Sequence, residues 1–128
     1  MNDISGNINL DESPLIDYAV IKDNIRNGIY TEDFLIILIN AFKNDAKNDI
    51  QMLHASIESN DYQKFRDGLH ALSGAAGNIN ARRLALLCKK SHHISYDENF
   101  KKKAEKTLSQ IQACLSDTEN ALTNIVAT

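Results

Sequence analysis

The chain has 128 residues, 43% of them hydrophobic and 24% charged, enough for one soluble domain that buries its own core without staples. A formal charge of −3 supplies no basic field for nucleic acid, and no apolar run approaches the roughly 18 residues of a membrane span, so neither partner is expected. One proline and five glycines leave little turn chemistry for a many-stranded fold. Two widely spaced cysteines, Cys88 and Cys114, with no CxxC and no paired Cys/His spacing, argue for buried thiols in a reduced cytoplasm and against a metal site.

Residues 1–12 are small and polar, with neither the basic start nor the apolar core of a signal peptide. They are expected to be a flexible segment ahead of a single domain over residues 13–128. Ser13 and Pro14 form a helix-start signal, a capping hydroxyl followed by a residue that needs no N–H in the first turn. Leu15, Tyr18, Ala19, Ile21 and Ile25 give a short amphipathic pattern that Gly28 is placed to end. Thr31 opens a second helix, with Glu32 and Asp33 in the turn where the helix dipole favours anions. Its stripe, Leu35, Leu38, Phe42, Ala46, Ile50, Leu53 and Ile57, recurs at spacings of three and four and marks one long helix ending near Ser59 and Asn60.

Asp61 is the expected N-cap of a third helix, whose buried stripe is Phe65, Leu69, Leu72 and Ala76. A break follows at residues 78–80, and Asn80 is placed to cap a fourth helix carrying Leu84, Leu87 and Cys88 inward. His92 to Ser95 end it. After a polar link, a fifth helix shows Phe100, Ala104, Leu108, Ile111, Leu115, Leu122 and Ile125. No segment alternates with period two. The fold class is therefore all-α: an antiparallel four-helix bundle, with the short N-terminal helix covering one end.

The third helix carries the chemistry. Its centre is His70-Ala71-Leu72-Ser73-Gly74-Ala75-Ala76-Gly77, with two glycines where each costs a helix roughly 1 kcal/mol against alanine. Leu69 and Leu72 fix the buried side, and His70 lies about 100° round from Leu69. Its helical neighbours are Arg66, Asp67, Ser73 and Gly74, with Gly77 a turn further on. That face is small and polar, so His70 is expected to be exposed, with open ground beside it. An exposed imidazole is a competent nucleophile near neutral pH. No partner spacing makes it part of a triad, no carboxylate cluster holds a metal, and no Gly-rich loop cradles nucleotide phosphates. Such a histidine suits a phosphoryl transfer in which the other reactant brings the machinery. The adjacent His92 and His93 point about 100° apart and are expected to be a solvated helix end rather than metal ligands.

The run from His70 to Ile79 resembles the signature of histidine-containing phosphotransfer domains, His-x-Leu-Lys-Gly-Ser/Ala followed by small residues and an Asn-Ile/Leu-Gly type turn. Leu84, Ala85 and Cys88 are similar to the Leu-Ala-x-x-Cys of the family's next helix. The helix from Phe34 to Ile57, with Phe42, Asp45 and Ala46, and the Asn60-Asp61-Tyr62 link extend the likeness over about residues 12–125. The resemblance implies a cytoplasmic, monomeric phosphorelay intermediate without kinase activity or ATP binding. His70 would take a phosphoryl group on Nε2 from a receiver-domain aspartate, in a response regulator or hybrid sensor kinase, and pass it to another receiver. The Mg²⁺ would be the receiver's, so no cofactor of the chain's own is implied. Gly74, Gly77 and Asp67 would form the docking ground. The family's lysine three residues after the histidine is Ser73 here, a hydrogen-bonding group without charge. Arg66, one turn before His70, is the expected substitute, with Lys89 and Lys90 as weaker ones. The alternative function is a module that docks a receiver or another regulatory protein through the same face with impaired transfer.

Overall fold

In the computed structural model, which describes residues 14–127, five helices follow one another: α1 (Tyr18–Arg26), α2 (Glu32–Glu58), α3 (Tyr62–Asn78), α4 (Arg82–Ser91) and α5 (Phe100–Ala127). No strand occurs among the described residues. In the bundle, α3 lies between α2 and α4, and α5 closes the ring against α4 and α2. Short links make successive helices antiparallel, so α2 and α4 begin at the end where α3 and α5 finish. α1 covers that end. The Asp17 N–H donates to the Asn80 carbonyl over 2.9 Å, and Arg82 Nη1 lies 3.7 Å from Asp17 Oδ2. Lys22 and Ile25 line a groove with Leu35, Ile125 and Val126. The bundle with a short additional helix is thus the architecture expected from the apolar periodicity.

The helix starts follow the capping chemistry, with two corrections. Thr31 Oγ1 accepts from the Phe34 N–H at 3.1 Å, and Asp61 Oδ1 from the Lys64 N–H at 3.0 Å, both satisfying donors that a helix leaves orphaned. The start expected at Ser13 and Pro14 is overturned for α1. Ser13 lies outside the described residues, Pro14 precedes the helix, and Asp17 is the cap, accepting from the Val20 N–H at 3.2 Å. The backbone bond from Asp17 to Asn80 anchors the chain just before the helix, and Ile16, not Tyr18 or Ala19, goes into the core. Asn80 likewise does not cap α4. It sits at φ +61°, the left-handed region that asparagine tolerates, and turns the chain out of α3. Ala81 is the residue before α4, with no side-chain cap bond.

Phe65, Leu69, Leu72 and Ala76 are all 0% exposed, so the buried stripe of α3 is the expected one. On α2 the buried row runs through Leu35, Ile39, Phe42, Ala46, Leu53 and Ile57, while Leu38 and Ile50 are only partly covered. α2 packs against both α3 and α5, which widens its apolar arc beyond one row and admits Ile39. At the end opposite α1, Tyr62, Phe65, Tyr96 and Phe100 form a chain of tilted and edge-on rings with centroids 5.3–5.5 Å apart. The Tyr62 hydroxyl donates to the Ile94 carbonyl at 2.9 Å, tying the start of α3 to the link after α4. Cys88 is buried between these helices, and burial pushes its thiol up to about 12, which leaves it an inert core side chain.

Close packing of α2 on α3 is concentrated at Gly68. A β-carbon there would lie 2.8 Å from Leu53 Cδ2 and 3.1 Å from Leu53 Cγ, and Leu53 is itself fully buried. Gly68→Ala gains up to about 1 kcal/mol of helix propensity and loses about 1–3 kcal/mol to overpacking. The expected net change is a loss of about 1 kcal/mol in urea-induced unfolding, with no change in the slope of the transition.

Candidate functional site

α3 positions the site. Leu69 and Leu72 are locked inward, which leaves His70 exposed between them. Asp67, a turn before it, is also exposed and accepts from Gln63 Nε2 at 2.9 Å, so Gln63 is its hydrogen-bond partner. Arg66 is exposed, with its guanidinium carbon 5.7 Å from the centroid of the Tyr62 ring. That contact holds the cation against α3 at a modest gain. Ser73 is different: the residue is only 8% exposed.

The two glycines after His70 do not serve close helix packing. A β-carbon at Gly74 or at Gly77 would meet nothing within 4 Å, in contrast to Gly68. Both are exposed. The surface running from His70 toward the end covered by α1 is therefore flat because side chains are missing, and a large body can approach the ring along it. At that same end Ile29, Phe34 and Ile37 are 69%, 45% and 60% exposed, an apolar exposure concealed in the sequence by the continuous run from Phe34 to Ile39.

Sequence reasoning also missed His92. The residue is the C-cap of α4, and its ring stands edge-on to that of His70, with 6.4 Å between centroids and an interplanar angle of 85°. Antiparallel pairing about the turn at residues 78–81 brings the end of α4 opposite His70. Which of Lys89, Lys90, His92 and His93 faces it depends on the rotation of α4 about its axis, and only packing sets that. Lys90 and His93 line a groove between α4 and α5 with Arg83, Thr107 and Cys114, a groove with no α3 residue in its wall. The His92 imidazole is held below its ordinary value of 6.5, first by partial burial and then by the positive charges of Arg66, His70 and His93. Among the described residues, no group of three or more His, Cys, Asp or Glu side chains is placed to hold a metal ion, and no helix is long and apolar enough to cross a membrane.

The described residues thus form a helical bundle that presents the His70 imidazole beside a flattened surface. The Hpt domain model matches residues 37–121, most of the chain, and the chain belongs to the Hpt domain family. Its function is histidine phosphotransfer in phosphorelay signalling, and Hpt domains in general interact with receiver domains. The fold is similar to that of the crystal structure of histidine-containing phosphotransfer protein B (HptB) from Pseudomonas aeruginosa PAO1, with a TM-score of 0.70 and 21% identity over 91% of this chain and 97% of that one. No curated protein matches the chain in sequence.

Two stability outcomes follow from this geometry. Gly74→Ala is expected to stabilise the fold by up to about 1 kcal/mol in chemical denaturation, since it fills open space on a helix. The unfolded chain takes up a proton at His92 near pH 6.5, and the folded chain only at lower pH, so the contribution of His92 is complete above that value and lost as pH falls below it. The fall in stability between pH 7.5 and 5.5 is therefore expected to be smaller in His92→Gln than in the unaltered chain.

Proposed function

We propose that His70 is the phosphoacceptor of this Hpt domain. The observation that carries the assignment is the pairing of an exposed imidazole with a surface that Gly74 and Gly77 leave bare, within the part of the chain that the family model matches. The lone pair of His70 Nε2 attacks the phosphorus of a receiver-domain aspartyl phosphate. The P–O bond to the aspartate breaks, and its electron pair returns to the carboxylate. A second receiver then takes the phosphoryl group by the reverse sequence. Transfer of this kind needs positioning and charge neutralisation more than covalent help from the protein.

In this reading the receiver brings the Mg²⁺, and the chain uses no cofactor of its own. It acts as a monomer without kinase activity. Its two free, buried cysteines suit a cytoplasmic setting. Arg66 supplies positive charge to the phosphoryl oxygens from one turn before His70. Ser73 stands in the place of a lysine as a buried, uncharged residue, and Gly74, Gly77 and Asp67 are the ground on which the receiver docks. Response regulators and hybrid sensor kinases are the expected sources of that receiver.

Incubation with a phosphorylated receiver should give acid-labile, base-stable label on the intact chain and none on His70→Gln; label on His70→Gln would place the acceptor elsewhere. Gly74→Phe separates docking from chemistry. It should slow uptake from a receiver by about tenfold or more, the cost of a misplaced approach, while leaving uptake from a small phosphoryl donor such as phosphoramidate unchanged. Arg66→Gln should slow receiver-dependent uptake by about tenfold, the equivalent of one charge-assisted hydrogen bond.

A further inference from the structure

Three nitrogen-bearing side chains meet at this part of the surface, Arg66 and His70 from α3 and His92 at the end of α4, while His93, next in the chain, lines the groove between α4 and α5. Among the described residues, none of the ion pairs involves them: Asp23 pairs with Arg26, Asp17 with Arg82, and Asp97 with Lys103. The carboxylate one turn from His70, Asp67, is engaged by Gln63. The groups that act on His92 are Arg66 and His70 across the helix pair and His93 beside it, all of them repelling a proton, together with partial burial. One opposing influence is built in: as C-cap, His92 sits at the negative end of the α4 dipole, which favours an imidazolium. None of the cluster's groups is held in one of those ion pairs, and its most adjustable member is His92.

A phosphoryl group on His70 reverses this balance. It brings a charge of about −1.5 to −2 near pH 7 and three acceptor oxygens to a ring whose centroid is 6.4 Å from that of His92. An anion at such range favours the protonated imidazole. Resting on the assignment of His70 as acceptor, we propose that His92 is the cation of the phosphorylated state, taking one proton from solvent when His70 is phosphorylated and donating it as a hydrogen bond to the phosphoryl oxygens. It returns that proton to solvent when the group leaves. His92 thereby supplies, on demand and from the neighbouring helix, the positive charge that Ser73 does not provide. It makes the lifetime of the phosphorylated state depend on pH. His92 contacts the transferred group in this scheme, while the bond-making atom remains on His70.

The test is NMR titration of the imidazole side chains in the full chain, before and after phosphorylation with phosphoramidate. The midpoint of His92 is expected to rise by about one unit or more on phosphorylation, with net proton uptake near pH 7, and to stay fixed in His70→Gln given the same donor. The rate of phosphoryl loss from His70 should depend differently on pH between about 6 and 8 in the unaltered chain and in His92→Gln, which keeps size and hydrogen bonding but cannot titrate and so retains only the acid lability of the N–P bond itself. A His70-phosphorylated chain whose His92 midpoint is unmoved or lowered overturns the inference, as does a His92→Gln chain with the unaltered pH profile. Failure of His70 to accept the group from both phosphoramidate and a phosphorylated receiver overturns the acceptor assignment itself, and the role of His92 with it.

Discussion

Leu53 occupies the space that a side chain at residue 68 would need, and the rest of the molecule depends on that contact. It lets α2 and α3 approach closely and, with the rest of the core, sets the rotation of α3 about its own axis. With Gly68 facing α2, the turn of about 100° per residue carries Leu69 and Leu72 into the core and swings His70 out to solvent. The tyrosine and phenylalanine rings at one end and the Asp17–Asn80 bond at the other hold the helix at both ends. The imidazole is therefore presented by a rigid element rather than by a loop, which is what a transfer between two proteins requires of its carrier.

The glycines of α3 divide the labour. Gly68 is a packing residue, where the absence of a side chain is used on the inside. Gly74 and Gly77 are surface residues, where the same absence leaves room outside. A β-carbon at either position would meet nothing within 4 Å, so close packing within the chain does not account for their helix-weakening cost. A partner that must bring an aspartyl phosphate up to a helix surface benefits from every side chain removed along its approach. The apolar exposure of Phe34 and Ile37 at the end toward which those glycines lead shows that the bundle also leaves hydrophobic area uncovered there.

Charge at the site is arranged across two helices rather than along one. Ser73 is buried and uncharged, so α3 contributes its positive charge through Arg66, which leans on Tyr62. The other contribution comes from the end of α4, whose C-cap His92 meets His70 edge-on. A histidine in that place differs from a lysine in one physical respect: its charge responds to what His70 carries. The same burial and repulsion that lower the proton affinity of His92 are the terms an added anion would outweigh.

Much of this was legible in the amino-acid order. The stripes of Phe65, Leu69, Leu72 and Ala76, and of Phe100, Ala104, Leu108 and Ile111, have a single helical reading, and they determined the bundle, the buried side of α3 and the exposure of His70. The caps at Thr31 and Asp61 were readable because one side-chain oxygen satisfies a local donor. α1 was misplaced because its start is fixed by a bond to Asn80, distant in the chain. The sequence by itself determined which side chains are apolar at helical spacing and which local bonds are possible, because both depend only on neighbours within a turn or two. Tertiary structure alone decided that Gly68 packs while Gly74 lies open, that Ser73 is shut in, and that His92 rather than Lys89, Lys90 or His93 faces His70. Those outcomes depend on how one helix is rotated against another, and that rotation is set by the whole core at once.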